Sequence, residues 1–181
     1  MFNVFSCLKN YGIITEQLQL KKGNSMKILV VSDSHGDMKT LDRLVNMQTN
    51  AEVVIFLGDG CEEFDYVKGG YPDKMFIGVR GNNDWGSALP YDEEIVIEGK
   101  KIFMTHGHRY GVKSGLSRIT EVGRKHRADI VLFGHTHIPH TSYDNGIYLM
   151  NPGSLRRFDC SYGIIEIQNN HILLNTSVFR G

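Results

Sequence analysis

The residues of this chain that could do chemistry are carboxylates, amides and imidazoles, and they occur in short polar clusters beside glycine. The first cluster is Asp33-Ser34-His35, which is separated by Ser32 from the apolar run that follows Lys27 and ends at Val31. Side chains two positions apart on an extended chain point the same way, so Asp33 and His35 can converge on one metal ion. The alternative for this cluster alone is an aspartate that caps the next helix and an incidental histidine.

The same pattern recurs at four more places, each after an apolar segment. These clusters are Gly58-Asp59, Gly81-Asn82, His106-Gly107-His108 and Gly134-His135-Thr136-His137. Any one of them could be turn or capping chemistry, but five at once weaken that interpretation. Oxygen and imidazole ligands without cysteine favour Mn, Fe, Ni, Co or Zn over a structural thiolate zinc site. The ligands are too many for one ion, so the set predicts two ions that share a carboxylate.

Buried strands must bring these clusters together. The first half of the chain predicts strands over 27–31, 52–57 and 74–79, with helices over 38–48 and about 62–67 between them. This βαβαβ alternation implies a parallel sheet with right-handed crossovers. Open α/β sheets bind ligands beyond the carboxyl ends of their strands, which is where the polar clusters fall.

The second half predicts a further sheet. Its expected elements are a hairpin of 94–98 and 101–104 around Gly99-Lys100, a helix over 114–126, strands over 129–133 and 146–150, and a hairpin of 162–167 and 171–178. Two sheets packed face to face with helices outside give an α/β protein. We therefore expect a four-layer α/β/β/α sandwich of two mixed sheets, formed as one domain by residues 26–181.

The amino-acid composition indicates which partners and which cellular compartment to expect. Lys+Arg 20 balances Asp+Glu 20, so no basic excess indicates nucleic acid as a partner. No apolar run is long enough to span a bilayer, so no membrane partner is expected. The three cysteines, Cys7, Cys61 and Cys160, are scattered, which favours a reducing compartment and a cytoplasmic location.

Residues 1–25 differ from the rest of the chain. They show no sustained hydrophobic period, and they make a poor signal peptide. The codons of Lys21-Lys22-Gly23 would read as a purine run ahead of the Met26 codon, similar to a ribosome-binding site. We predict that residues 1–25 are a non-native or disordered leader and that the native start is Met26. A real, loosely docked extension is the alternative.

In these motifs the chain resembles the calcineurin-like metallophosphoesterase superfamily, in particular its small single-domain phosphodiesterases of bacteria and archaea. The family pattern is D-x-H, G-D, G-N-[HC]-D, an H-G or G-H segment and G-H-x-H, and every motif occurs in order between Met26 and about Arg157. The resemblance implies two divalent transition-metal ions, manganese first, with nickel, iron, cobalt or zinc as alternatives. It implies one ion on Asp33, His35, Asp59 and His137 and the other on Asp59, Asn82, His106 and His135, with Asp59 bridging.

One position departs from the family pattern. After the ligand asparagine, many members carry a histidine that gives a proton to the leaving group, and some small phosphodiesterases carry cysteine. This chain has Asn83, which cannot act as an acid. Asp84 follows it but has no histidine to assist. His108 is a candidate replacement acid, and an outer residue that supports the ligands is an equal alternative. Asn83, Asp84 and His108 are thus the candidate catalytic residues.

The resemblance implies hydrolysis of a small or nucleotide-like phosphodiester by a hydroxide that bridges the two metals. Arg80, Arg109 and Arg157 are candidate phosphate contacts, with solvated surface as the alternative for each. A nuclease is one rival, against which the neutral charge argues. A second rival function is a non-enzymatic scaffold that binds protein partners. In a family member of that kind some metal-ligand residues are replaced, whereas all seven are present in this chain. Exposed apolar residues and edge strands leave a homodimer open.

Overall fold

A computed structural model describes residues 25–156 and 160–180 of the chain. The predicted leader lies outside these residues except for Ser25, and so does Arg157. No helix in the described ranges is long and apolar enough to cross a membrane. Three α-helices occur in these ranges: α1 (Met38–Met47), α2 (Cys61–Lys68) and α3 (Ser117–Lys125). The strands are β1 (Met26–Val31), β2 (Val53–Phe56), β3 (Met75–Gly78), β4 (Asp92–Ile97), β5 (Lys100–Thr105), β6 (Ile130–Leu132), β7 (His140–Asp144), β8 (Ile147–Asn151), β9 (Ser161–Gln168) and β10 (His171–Val178).

Two mixed sheets of five strands form the centre of the molecule. The first has the order β10-β9-β1-β2-β3, in which β1, β2 and β3 are parallel and β9 and β10 are antiparallel to their neighbours. The second has the order β4-β5-β6-β8-β7, in which β5, β6 and β8 are parallel. The βαβ crossovers of the first half therefore form as predicted, since α1 and α2 connect neighbouring parallel strands.

Strand residues alternate between two apolar layers, which is why the central strands lack exposed positions. In β1, Ile28 and Val30 face the second sheet, while Leu29 and Val31 face α1 and α2. The layer between the sheets also contains Ile55, Ile102, Met104, Leu132 and Met150. On the far side, Ile119 of α3 packs on the second sheet. The predicted four-layer α/β/β/α sandwich is confirmed.

Three local details differ from the sequence expectation. The turn of the β4–β5 hairpin is Glu98-Gly99, one residue earlier than predicted, because both residues take positive φ as a two-residue hairpin turn requires. Helix α3 begins at Ser117 because Gly115 has a φ of +143°, which a helix cannot continue. Strand β7 was not predicted, since its sequence is polar and it pairs only with β8 at the edge of the sheet.

Candidate metal centre

Every polar cluster follows the carboxyl end of a strand, and the two sheets bring these ends to one edge of the sandwich. Asp33 and His35 follow β1, and Asp59 follows β2. Backbone hydrogen bonds join the loops: the N–H of Asp33 donates to the carbonyl of Gly58 at 2.9 Å, and that of His35 to the carbonyl of Asp59 at 3.0 Å. The clusters after β3, β5 and β6 complete the centre, and they contain Asn82, His106, His135 and His137.

Five of the seven candidate ligands have left-handed backbone, which is uncommon for residues other than glycine. They are Asp33 (φ +56°), His35 (+44°), Asp59 (+60°), His135 (+67°) and His137 (+60°). Such conformations cost free energy and persist where the surrounding structure enforces them, as at functional sites. The loops are thus held in shapes that aim these side chains rather than in relaxed turns.

Asp33, His35 and His137 form the first ligand group, whose ligand atoms all lie within 4.8 Å of one another. The Nε2 of His137 lies 3.0 Å from Oδ1 of Asp33 and 3.2 Å from Nε2 of His35. Oδ2 of Asp33 accepts hydrogen bonds from Oγ of Ser32 at 2.5 Å and from the N–H of His135 at 3.1 Å. Oδ1 is buried and has no hydrogen-bond partner among the described residues. A fixed, unsatisfied carboxylate oxygen beside two imidazoles suits a divalent cation.

Asp59, His106 and His135 form the second group, again with ligand atoms within 4.8 Å. His106 is fully buried, and its Nδ1 lies 2.7 Å from the carbonyl of Leu57, to which it can donate a hydrogen. That bond leaves Nε2 as the ligand atom. Nε2 of His106 lies 3.2 Å from Oδ1 of Asn82 and 3.5 Å from Oδ2 of Asp59.

Asp59 lies between the two groups. Its Oδ2 is 3.9 Å from Nε2 of His35 in the first group and 3.5 Å from Nε2 of His106 in the second. A Cβ at Gly81 would be 2.1 Å from Oδ1 of Asp59, so only glycine permits this approach of the β3 loop to the carboxylate. The structure therefore places the side chains of all seven candidate ligands at one edge of the sandwich, with Asp59 between the two groups.

The electrostatics of the second group favour an ionised carboxylate. Burial raises the pKa of Asp59, but the hydrogen bond from His106, the charge of His106 and two hydrogen bonds from Asn83 together hold that pKa well below its usual range. Burial lowers the pKa of His135, and the charge of His106 lowers it further, to about 4. His135 is therefore neutral near pH 7, as a metal ligand must be.

Asn83, predicted at the acid position, contacts Asp59 directly. Its backbone N–H donates to Oδ1 at 2.8 Å, and its side-chain Nδ2 donates to Oδ2 at 2.6 Å. Asn83 therefore orients the carboxylate that the two groups share.

Asp84 was predicted as a catalytic residue, and in the structure its carboxylate binds backbone N–H groups. Its carboxylate accepts hydrogen bonds from the N–H groups of Asp59, Gly60, Cys61 and Gly81 at 2.7–2.9 Å. Burial raises the pKa of Asp84, but these backbone donors hold it below the usual value. Asp84 thus joins the loop after β3 to the loop after β2 and to the start of α2.

His108 lies at the rim of the second group. Its ring centroid is 5.4 Å from that of His106 and 6.1 Å from that of His135. Its Nδ1 is buried and has no hydrogen-bond partner among the described residues. Burial and the charge of His106 lower the pKa of His108. Both predicted roles, replacement acid and outer support, agree with this position.

Arg80 and Arg109, the described candidate phosphate contacts, do not reach into the centre. Arg80 donates to the carbonyls of Ser87 and Asp84 at 2.9 Å, and Arg109 pairs with Asp92 at 3.3 Å. Both guanidinium groups lie over the ring of Tyr91, at 4.8 and 4.9 Å from its centroid. Both arginines therefore bind other residues of the protein rather than face the metal centre.

Sequence reasoning missed three polar residues that support the ligands. Ser32 donates to Asp33, as described above. Ser154 donates from Oγ to the carbonyl of Asp33 at 2.9 Å. The side chain of Asn151 donates to the carbonyl of Gly134 at 2.8 Å and to Oγ1 of Thr136 at 3.0 Å, which fixes the loop of the last two histidines. The signal available was a polar Asn-Pro-Gly-Ser segment at the end of an apolar strand.

A cleft of about 1020 Å³ opens beside the centre. His35 and Asp59 line its inner end, and Asn83 and Trp85 line the wall formed by the loop after β3. A ligand held at the two groups would therefore extend into a space shaped by this loop and by α2.

Comparisons with known proteins identify the family. The profile of the calcineurin-like phosphoesterase superfamily domain matches residues 26–170. The chain is 30% identical over 149 residues to the probable metallophosphoesterase YsnB of Bacillus subtilis, covering 80% of this chain and 86% of that one. It is 27% identical over 169 residues to the phosphodiesterase YfcE of Escherichia coli, covering 78% and 88%.

A solved structure shares the fold. It is a predicted phosphoesterase from Streptococcus pneumoniae, with a TM-score of 0.74, 24% identity and coverage of 86% of this chain and 91% of the other. The chain belongs to the calcineurin-like phosphoesterase superfamily.

Proposed function

We propose that the chain is a metal-dependent phosphodiesterase that uses two divalent metal ions to hydrolyse small or nucleotide-like phosphodiesters. The observation that carries the proposal is the position of Asp59, whose Oδ2 faces an imidazole of each ligand group at 3.9 and 3.5 Å. One carboxylate oxygen shared by two sets of ligands is the arrangement that a two-metal site needs.

Asp33, His35 and His137 would hold one ion, and Asn82, His106 and His135 the other, with Asp59 shared. When bound, such ions lower the pKa of a water molecule and neutralise charge on the phosphoryl oxygens. Manganese is our first expectation, and the donor set suits nickel, iron, cobalt or zinc as well. The two hydrogen bonds from Asn83 help to keep the Asp59 carboxylate ionised and oriented.

The residues next to the centre favour a diester over a monoester. Neither lysine nor arginine lines the described part of the cleft, while Glu62 and Asp65 do. A monoester near neutral pH carries close to two negative charges and a diester only one, so these carboxylates repel a diester less. Asn83 has no proton to give to a leaving alcohol, so good leaving groups are favoured.

The same charges bear on the two rival functions. A nucleic-acid strand would place several phosphates near Glu62 and Asp65, which argues against a nuclease. A scaffold needs no ligand positions, whereas here all seven side chains meet at one edge of the sandwich. The enzyme is therefore the function that the geometry supports best.

Metal-loaded protein assayed on bis(p-nitrophenyl) phosphate and on p-nitrophenyl phosphate tests the proposal. We expect turnover of the diester to exceed that of the monoester, to be lost with EDTA and to return with Mn²⁺. His35→Ala should lose most of the activity, whereas Glu98→Gln, an exposed substitution in the β4–β5 turn, should retain it. Faster turnover of the monoester, or activity that survives metal removal, would contradict the proposal.

A further inference from the structure

Helix α2 presents one exposed face to the cleft. Cys61, Phe64 and Val67 are buried against the first sheet. Glu62, Asp65 and Tyr66 lie three and four positions apart on the opposite side, so their side chains are neighbours on the helix surface. All three line the cleft beside the metal centre.

Trp85 lies across the cleft, in the loop after β3. Its side chain is 88% exposed, and that of Tyr66 is 71% exposed. The carboxylate of Asp84, next to Trp85, holds this loop to the N–H groups of Gly60 and Cys61 at the start of α2, at 2.8 and 2.9 Å. Trp85 is therefore anchored near the exposed face of α2 while its ring stays in solvent.

The carboxylates of Glu62 and Asp65 are available to a ligand. Neither makes a hydrogen bond or ion pair with another described residue. Glu63 differs, because its carboxylate accepts the N–H of Gly36 and so supports the loop after His35. Two exposed aromatic rings and two unpaired carboxylates thus surround a space in which the described lining has no lysine or arginine.

We infer that this cleft binds a positively charged alcohol group, so that the substrates are zwitterionic phosphodiesters of ammonium alcohols. The inference rests on the proposed function, which places the phosphate at the metal centre. Aromatic faces attract quaternary ammonium groups, and nearby carboxylates add attraction for a cation. A neutral planar group would use Tyr66 and Trp85 but would leave Glu62 and Asp65 without a partner.

Two p-nitrophenyl diesters that differ in one charge test the inference. In one the second alcohol is choline, and in the other it is 3,3-dimethylbutanol, the uncharged isostere of choline. Both release the same nitrophenolate, so intrinsic reactivity is matched. We expect kcat/KM to be about tenfold higher for the choline ester, mainly through KM, and the advantage to shrink at high salt because exposed charges are screened.

Variants identify the residues responsible. Trp85→Ala and the double variant Glu62→Gln/Asp65→Asn should each remove most of the preference for the choline ester. Tyr143→Ala removes an aromatic side chain that is 62% exposed on β7, and Glu98→Gln removes a turn carboxylate; neither residue lines the cleft. These two controls should keep the preference. Equal kcat/KM for the two esters in the unmodified protein would overturn the inference.

Fluorescence tests the cleft without turnover, because Trp85 is the single tryptophan of the sequence. Metal-loaded protein is titrated with phosphocholine and with 3,3-dimethylbutyl phosphate. We expect a saturable change in emission and tighter binding of phosphocholine. Equal affinities, or no change in emission with either, would overturn the inference even if diesters are hydrolysed. Tighter phosphocholine binding in a protein that hydrolyses no diester would instead overturn the proposed function and leave the cleft assignment standing.

A third ester separates a cation site from a site for neutral rings. Thymidine 5′-(p-nitrophenyl phosphate) has the same leaving group and carries a neutral base. We expect its kcat/KM to lie below that of the choline ester and to respond less to Glu62→Gln/Asp65→Asn. If it exceeds the choline ester and loses its advantage in Trp85→Ala, the cleft recognises a planar group, and the assignment of a cation is wrong.

Discussion

Asn83 follows the candidate ligand Asn82, and the structure places it in contact with the carboxylate of Asp59. Both its backbone N–H and its side-chain amide donate to the carboxylate of Asp59. Groups that hydrogen-bond a metal ligand fix its orientation and affect metal affinity. Asn83 is therefore a positioning residue in our proposal, and a leaving alcohol receives no proton from it.

The dependence of the hydrolysis rate on the leaving group tests whether the centre lacks a general acid. A positioned general acid contributes about 10²–10⁴ in rate, and it matters most for alkoxide leaving groups. We expect nitrophenyl diesters to be hydrolysed well and alkyl diesters poorly, with kcat/KM falling steeply as the pKa of the leaving alcohol rises. Asn83→His should make that dependence shallower, as measured over a series of diesters with one constant ester group.

His108 offers the competing source of the proton, since its ring lies 5.4 Å from that of His106 and its Nδ1 has no partner among the described residues. If His108 is the acid, His108→Ala should steepen the leaving-group dependence and Asn83→His should add little. If both substitutions leave the slope unchanged, neither position protonates the leaving group, and our explanation of the departure at Asn83 is wrong.

At the scale of elements, the conformation of the loop after β3 depends on the carboxylate of Asp84. Asp84 satisfies four backbone N–H groups in two loops and at the start of α2. An unsatisfied buried donor costs about 1–3 kcal/mol, and water can reach part of this site. We therefore expect Asp84→Ala to lower the free energy of unfolding by about 2–4 kcal/mol, measured by urea denaturation of the metal-free protein.

A substitution of the same type on the surface serves as the control for Asp84. Asp144 on β7 pairs with Arg124 at 2.5 Å, and both side chains are 45% exposed. Exposed ion pairs contribute about 0–1 kcal/mol, so Asp144→Ala should change stability far less than Asp84→Ala. Equal urea midpoints for Asp84→Ala and the unmodified protein would show that the loop does not need its carboxylate.

The sequence was sufficient to predict the strands and helices that bury apolar residues. Strands such as β1 and β2 are short, continuous apolar runs, and their period and flanking residues predict them well. It was insufficient for β7, whose sequence is largely polar and which pairs with β8 at the edge of the second sheet. The pairing is nevertheless local, because Asn145-Gly146, both at positive φ, form the two-residue turn of a β7–β8 hairpin, and this Asn-Gly pair was the available signal.

At the scale of the whole molecule, the site depends on the joining of two sheets. The clustering of the candidate ligands was predictable because each is a polar residue at a strand end, and open sheets gather such ends at one edge. The supporting contacts were not predictable, because Asn151 and Ser154 reach ligand loops that are remote in sequence. The cleft between Trp85 and α2 likewise lies between segments that are remote in sequence and are joined by the carboxylate of Asp84.

The number of metal ions per chain, measured in the unmodified protein and in Asp59→Ala, tests the shared two-metal centre most directly. After loading with Mn²⁺ and removal of free metal, we expect two ions per chain in the unmodified protein and in the control Glu98→Gln. Asp59→Ala should retain the fold, as judged by circular dichroism, but lose high-affinity binding of both ions, because each loses a ligand. One ion in the unmodified protein, or two ions bound with unchanged affinity in Asp59→Ala, would contradict the shared centre.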